Sequence, residues 1–361
     1  MNKGTKIFLN VLKWIGIVLA AVLCIALIFV AVLCICEYRP KSEEKVSVNG
    51  QASKTLSEGD TITVLSWNTG YCALGETADF FMDGGTHVST STKAQVKENI
   101  EGIASVFNSV KPDVAILQEI DISSKRSHKI NEKKELLSRI KGYQDSYALN
   151  YKVLYVPYPL PTIGKVSCGL LSLSDFNSTE SKRIALPCPF TWPMRVCNLK
   201  RCLLINRIPL ENSSKELVVV NLHLEAYDSG EGKIAQTKLL RSILEEEAAK
   251  GNYVIAGGDF NQAFSNMDNS AYPAVSDEMW IPGIIDVSEF QQGLTFIQDN
   301  SVPSCRSLDK PYAGADKNNF QYYMIDGFIV SPNVKVEQVN TLDMQFKNSD
   351  HNPVVMKVTL E

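Results

Sequence analysis

Residues 253–261 read Tyr253-Val254-Ile255-Ala256-Gly257-Gly258-Asp259-Phe260-Asn261. A strand-forming apolar run gives way to two glycines and then to an acid and an amide. Alone, an Asp-x-Asn after two glycines is a turn. The pattern gains meaning because other apolar runs of the chain end in the same way. They are Ser66-Trp67-Asn68-Thr69-Gly70, Leu117-Gln118-Glu119, Val220-Asn221-Leu222-His223-Leu224, Ile325-Asp326-Gly327 and Ser349-Asp350-His351-Asn352-Pro353. Polar groups left beside apolar strands are costly in a core, because buried unpaired charge has to be compensated by a metal, hydrogen bonds or solvent. Of the four histidines, His87, His128, His223 and His351, two lie in these clusters.

Outward from this stretch the chain alternates short β-rich runs with polar connections. Ile62–Trp67, Val114–Ile120, Lys152–Val156, Gly169–Leu173, Cys202–Ile208, Leu217–Leu224, Tyr253–Ala256, Tyr322–Val330 and Pro353–Leu360 read as strands. Helical spacing occurs in Lys93–Val110, where Val96, Ile100, Ile103, Phe107 and Val110 recur at steps of four and three, and in Gly232–Lys250, with Leu240, Ile243 and Leu244 on one stripe. Strands outnumber helices, two helical crossovers interrupt hairpin-length links, and no internal repeat is visible. This pattern predicts one α/β domain over residues 61–361 with two packed sheets.

The N-terminal end differs in kind. Trp14–Cys36 runs for 23 residues without a charged side chain, whereas a bilayer core of about 30 Å needs ~20 helical residues. The apolar stretch of a cleaved signal is shorter and ends at small residues; here Leu33-Cys34-Ile35-Cys36-Glu37-Tyr38-Arg39-Pro40 follows, so the run reads as an uncleaved anchor. Residues 1–13 are then a short leading segment, 14–36 the membrane span and 37–60 a polar linker. Lys3, Lys6 and Lys13 precede the span, and Arg39, Lys41 and Lys45 follow it. The count ties, and the usual arrangement of an N-terminal anchor places the large domain on the extracytoplasmic side of the cell membrane. Setting aside Lys3, Lys6, Lys13 and Glu37 leaves 33 basic against 39 acidic side chains in 38–361, a net −6. That balance excludes attachment to nucleic acid by bulk positive charge, and the apolar and aromatic content excludes a disordered chain. Outside the span lie Cys72, Cys168, Cys188, Cys197, Cys202 and Cys305 with no CxxC pair. This permits either a disulfide within 188–202 or free buried thiols.

The order and wording of the clusters, SWN, LQE, NLHL, GGDFN, ID and SDHNPV, resemble the endonuclease/exonuclease/phosphatase superfamily over roughly residues 61–360. The resemblance implies a deoxyribonuclease I-like four-layered α/β sandwich, two facing mixed sheets flanked by helices, with a metal site at one edge. It implies metal-dependent hydrolysis of a phosphoric ester, which needs a hard cation, a base for water and donors to the phosphoryl oxygens. In these terms Glu119 and Asn68, the latter through its amide oxygen, bind Mg²⁺ or Mn²⁺, and Asp350 completes the shell. Asp259 orients or deprotonates water, and Asn261 and His223 donate to the phosphoryl group. His351 contacts the scissile phosphate or serves as acid–base partner, with Asp326 on its other ring nitrogen. Some nuclease members carry a carboxylate two residues after the motif Asn; Gly70 stands there, which favours a single ion.

Family likeness leaves the substrate open among DNA, RNA, inositol phosphates and sphingomyelin. Residues 181–210 hold Lys182, Arg183, Arg195, Lys200, Arg201 and Arg207 and no acid. Within them the run Pro187-Cys188-Pro189-Phe190-Thr191-Trp192-Pro193 suits either an anionic membrane surface or a nucleic acid strand, or else folds back on the sheet. Arg126, His128, Trp192 and Arg195 are candidates for the substrate rim. A membrane anchor raises the effective concentration of headgroups at the site, so a lipid-linked or headgroup phosphate is the leading expectation. A surface-tethered nuclease, with nucleic acid as substrate only, and a noncatalytic surface-binding module are the alternatives. Nothing indicates an obligate protein partner.

Overall fold

Side-chain alternation along the strands decides which residues meet. In the computed structural model, which describes residues 2–228, 230–276 and 279–361, one seven-stranded sheet has the order β1 (Glu43–Lys45), β7 (Glu180–Ala185), β8 (Cys202–Pro209), β9 (Glu216–His223), β10 (Tyr253–Asp259), β16 (Asp326–Val330), β13 (Thr295–Ile297). The second has the order β17 (Val334–Thr341), β18 (Val354–Leu360), β3 (Thr61–Asn68), β4 (Val114–Asp121), β6 (Gly164–Ser174), β5 (Gln144–Val156), β2 (Val48–Asn49). Two short pairs, β11 (Gln262–Phe264) with β12 (Gly283–Ile285) and β14 (Cys305–Arg306) with β15 (Tyr322–Tyr323), complete the strands.

Ile62, Val64, Val114 and Ile116 from one sheet and Leu217, Val219, Ile255 and Phe328 from the other fill the space between the sheets. The intervening residues point outward. Leu65, Trp67, Ala115 and Leu117 pack with Val96, Ile100, Ile103 and Phe107 of α2 (Lys93–Val110) and with Leu136 of α3 (Glu132–Arg139). Val218, Val220, Leu222 and Val254 pack with Leu240 and Leu244 of α4 (Glu231–Ala249). The result is the four-layered α/β sandwich, each fully buried Leu, Ile, Val or Phe contributing roughly 1.5–3 kcal/mol. β3 and β4 are parallel, as are β9 and β10. Parallel neighbours cannot be joined by a hairpin, and α2 and α4 are the two crossovers. Thr92 caps α2 in a reciprocal box with Gln95.

Several expectations change. Residues 37–60 are not a free linker: β1 pairs with β7, β2 pairs with β5, and Leu56 is buried in the intersheet core. Their polar composition masked edge strands held by backbone hydrogen bonds. The run 322–330 breaks into β15 and β16, because the backbone N–H groups of Ile325 and Asp326 turn to the Ser304 hydroxyl. The expected strand 152–156 is the end of a much longer β5. The apolar N-terminal helix, α1 (Lys3–Ile35), begins well before Trp14, with the Asn2 side chain accepting from the Gly4 N–H. It is long and apolar enough to cross a membrane. All nine cysteines are free thiols, so the 188–202 stretch holds no disulfide.

Candidate active site

The inner face of the strands changes character toward one end of the sandwich. Above Val64, Ile116, Val219 and Ile255 comes a polar row in which the Gln118 Nε2 donates to Asn221 Oδ1 at 2.9 Å, and Asn221 Nδ2 donates to the Leu117 and Leu171 carbonyls. These bonds tie the two sheets together where apolar packing stops. Gly257 stands in this row opposite Asn221, where a Cβ would lie 2.5 Å from the Phe328 ring.

One step further, the register places charged residues side by side. In β9, β10 and β16, His223 pairs with Asp259 and Asp259 with Asp326. Neighbouring strands are about 4.8 Å apart, so three titratable groups share one row. From the other sheet come Asn68 at the end of β3 and Glu119 in β4. The β4–β6 register shifts between Leu117 and Ile120, and Glu119 has φ 58°, so a bulge turns its side chain into the cleft. The loop before β18 adds Asp350 and His351, fixed by the Trp67 indole N–H donating to the His351 carbonyl at 2.8 Å and by the Ser349 hydroxyl donating to the Asn68 carbonyl at 2.8 Å.

The contacts are mutual. His351 Nδ1 lies 2.8 Å from Asp326 Oδ2, and its Nε2 lies 3.8 Å from Asp259 Oδ2. His223 Nε2 lies 3.4 Å from the same Asp259 oxygen, and its Nδ1 is 3.9 Å from Glu119 Oε1. Asp259 Oδ2 accepts from Asn68 Nδ2 at 2.9 Å, and Oδ1 accepts from the Asn261 backbone N–H at 2.9 Å. Burial pushes the Asp259 carboxyl up to about 7, against the opposing pull of His351, and pushes Asp350 up to about 6. Burial alone would lower His351, but the Asp326 carboxylate outweighs it and holds the imidazole well above its ordinary value. Burial, with Arg201 and His351 nearby, holds His223 well below its own. The two histidines are thus set apart, one as a proton holder and one as a neutral ring.

Asn68, Glu119, His223, Asp259, Asn261, Asp350 and His351 line one cleft of about 750 Å³, with Asp326 behind His351. Asn68 also has a donor side. Its Oδ1 accepts from the Gly70 N–H at 3.0 Å, which turns the NH₂ toward Asp259 and Glu119. In this arrangement the NH₂ donates to the carboxylates, and Oδ1, with one lone pair on the Gly70 N–H, keeps the other for a cation. Asn261 Nδ2 donates to the Leu224 carbonyl, while its backbone N–H steers Asp259.

The rim candidates divide. Trp192 lines the cleft and is exposed; Arg126 lines it over the Tyr71 ring and is held by both Asp121 oxygens at 3.1 Å. His128 is turned to the Ser91 carbonyl at 2.7 Å and Arg195 is bound to Glu37 at 2.9 Å, and neither lines the cleft. Among the cleft residues that the sequence reading left without a role are Arg201, Glu225 and Arg306. Arg201 pairs with Glu225 at 3.2 Å and donates to the His223 carbonyl, and the buried Arg306 donates its backbone N–H to the Asp350 carbonyl. The spacing of Glu225 two residues past His223 was the available signal for it; for Arg201 and Arg306 there was none.

The four carboxylates Glu119, Asp259, Asp326 and Asp350 meet few cations at the cleft. Among the described residues Asp326 Oδ1 and His223 Nδ1 are buried without a hydrogen-bond partner. Hard oxygen donors of this kind fit a divalent cation, and the ligand atoms of Asp259, Asp326 and His351, and those of Cys305, Asp350 and His351, each lie within 4.8 Å of one another.

A family profile described as Endonuclease/Exonuclease/phosphatase family matches residues 65–351. The chain belongs to this family. Its members act on phosphoester bonds, and the deoxyribonuclease I-like fold is shared with solved structures of low identity. An endonuclease/exonuclease/phosphatase from Beutenbergia cavernae DSM 12333 is 18% identical, with a TM-score of 0.57 over 83% of this chain and 72% of that one. ANGEL2, a 2′,3′-cyclic phosphatase, is 13% identical, with a TM-score of 0.54 over 88% and 99%. The human Nocturnin catalytic domain with bound sulfate anion is 18% identical, with a TM-score of 0.51 over 88% and 97%. No curated protein matches the chain.

Gly70 stands two residues past Asn68 and beside Asp350. It has φ 52°, and a Cβ there would sit 2.6 Å from Asp350 Oδ1. Gly70→Ala is expected to lower stability by about 1–3 kcal/mol, read by denaturant melts; an unchanged midpoint would show that Asp350 yields freely.

Proposed function

We propose that the chain is a membrane-anchored, divalent-metal-dependent phosphoesterase whose substrate is a lipid-linked or headgroup phosphate. The observation that carries this reading is the composition of the cleft. Its lining combines the carboxylate–histidine cluster with Phe29, Val30 and Leu33 of the apolar helix α1. A phosphate suits the first and an acyl chain the second.

A bound cation, Mg²⁺ or Mn²⁺, would neutralise phosphoryl charge between Glu119 and Asp350. Asp259 accepts a proton from water, steered by the Asn261 N–H and the Asn68 amide. His351, kept charged by Asp326, donates to a phosphoryl or leaving oxygen, and neutral His223 orients the opposite side. The catalytic domain is placed on the extracytoplasmic side, as for other N-terminal anchors.

The test is the full chain in nanodiscs, offered sphingomyelin, phosphatidylinositol, inositol phosphates, RNA and plasmid DNA with Mg²⁺, Mn²⁺ or EDTA. Release of lipid phosphate that EDTA abolishes is expected. Nicking of plasmid without lipid cleavage would move the assignment to a surface nuclease, and no metal-dependent turnover would leave a binding module.

A further inference from the structure

The β5–β6 hairpin packs against the side of the helix that the proposed function places in the membrane. The Tyr155 ring meets Phe29 of α1 edge to face, with centroids 5.9 Å apart. Phe29 precedes Cys36 by two turns, and at 1.5 Å per residue this is roughly 10 Å along the axis. With the span ending at Cys36, Tyr155 at the root of the hairpin tip stands beside the helix within the acyl region of one leaflet.

The chemistry of that tip agrees with its depth. Between Lys152 and Lys165 there is no charged side chain. Leu160 is 88% exposed and Tyr158 71%, and Leu154 is also exposed. Large apolar side chains so bare at a loop tip are costly in water and favourable in an acyl environment. Pro157, Pro159 and Pro161 remove backbone N–H donors from the turn, the groups whose burial in hydrocarbon would otherwise be penalised. Lys125 Nζ donates to the Thr162 carbonyl at 2.7 Å, satisfying an acceptor at the hairpin's base.

A second loop stands nearer the end of the helix. Trp192 and Met194 are exposed rather than folded back on the sheet. The next residue, Arg195, is bonded to Glu37 at the foot of α1, and Lys200 lies 3.5 Å from the same carboxylate. This pairing fixes the loop's height relative to the helix end, where tryptophan belongs in a bilayer. Both loops and α1 line the cleft that holds Glu119, Asp259 and His351.

We propose that the 156–163 hairpin tip and the Phe190–Met194 loop insert into the leaflet beside α1, so that one lipid phosphate enters the cleft sideways along the helix, its chains still in the bilayer. This rests on the membrane-anchored reading above. Its occupant is a membrane lipid, since a soluble ester gains nothing from an apolar wall continuous with the span.

The experiment uses the full chain in phosphatidylcholine nanodiscs containing sphingomyelin and phosphatidylinositol. The emission lost on Trp192→Phe isolates the Trp192 signal. Lipid brominated near the top of the acyl chain is expected to quench that signal about twofold, and an unquenched signal overturns the insertion. Leu160→Asp is expected to slow release of lipid phosphate about tenfold while hydrolysis of soluble bis-p-nitrophenyl phosphate is unchanged, with Leu160→Phe retaining both rates. Unchanged lipid cleavage, or an equal fall in both rates, overturns sideways entry. If the wild-type chain cleaves neither ester, the proposed function falls, and the quenching arm alone decides whether the loops are inserted.

Discussion

Asp259→Asn is expected to lower hydrolysis of bis-p-nitrophenyl phosphate by about 10²–10⁴-fold, the usual contribution of a positioned acid–base group. The substitution keeps the shape of the side chain and removes its ability to accept a proton. Asp259 Oδ2 is the shared point of the cluster, 2.9 Å from the Asn68 amide, 3.4 Å from His223 and 3.8 Å from His351. An amide there either turns its NH₂ toward the donor Asn68 or gives up the bond from the Asn261 N–H. The fold should survive, because the carboxyl is already held up to about 7 by burial and its charged form is costly. Circular dichroism should be unchanged, with a thermal midpoint equal to or above that of the parent. Asp326→Asn acts through His351 and through the charge it sets beside Asp259, and should cost less in rate while shifting the pH profile. Turnover in Asp259→Asn close to the parent rate would remove Asp259 from the role of base.

The residues that make this cluster were legible in the sequence because strand alternation carries both the core and its interruption. Val64, Ser66 and Asn68, or Val219, Asn221 and His223, lie on one face in steps of two, so the apolar-to-polar change within each run already points to a common edge. The two crossover helices were legible from their stripes. What could not be read depends on partners distant in the chain. β1 and β2 are polar segments made into strands by the edges of β7 and β5. β17 alternates charge with small apolar residues, and α3 is short with few apolar positions, so neither stood out. Arg195 looks like a substrate-facing cation until Glu37, far earlier in the sequence, is found beside it. The orientation of the Asn68 amide is decided by one backbone N–H, that of Gly70, which no side-chain pattern encodes. Sequence pattern therefore finds which groups gather, and hydrogen-bond direction in three dimensions decides what each of them offers.

That gathering of acids makes the second large effect a linkage between pH and a divalent ion. In EDTA, stability is expected to fall as pH rises from about 6.5 to 8. Asp259 has its carboxyl raised from 3.8 to about 7 by burial, and Asp350 from 3.8 to about 6. Each therefore keeps in the folded state a proton that the unfolded chain has released. The stability this gives is fully present below the ordinary carboxylate value and is lost as pH rises through 6 and 7. His351, held well above 6.5 once Asp326 outweighs burial, has the same sign, its contribution being lost on passing its raised value. His223 has the opposite sign. Lowered by burial, it is neutral when folded and adds stability as pH climbs toward 6.5, so it offsets the carboxylates only below that point. Each group contributes a slope of up to about 1.4 kcal/mol per pH unit within its window.

A divalent ion held by Glu119 and Asp350 reverses the preference, because it favours the ionised carboxylates and binds only the folded chain. The gain in thermal midpoint on adding Mg²⁺ should thus be larger at pH 8 than at pH 6, by several degrees. Glu119→Gln should reduce that gain at both pH values. Asp350→Asn should do so chiefly at pH 8, since at pH 6 the parent's own carboxyl is already about half protonated. A Mg²⁺ effect of equal size at both pH values, or one that survives both substitutions, would place the ion elsewhere than between these two side chains.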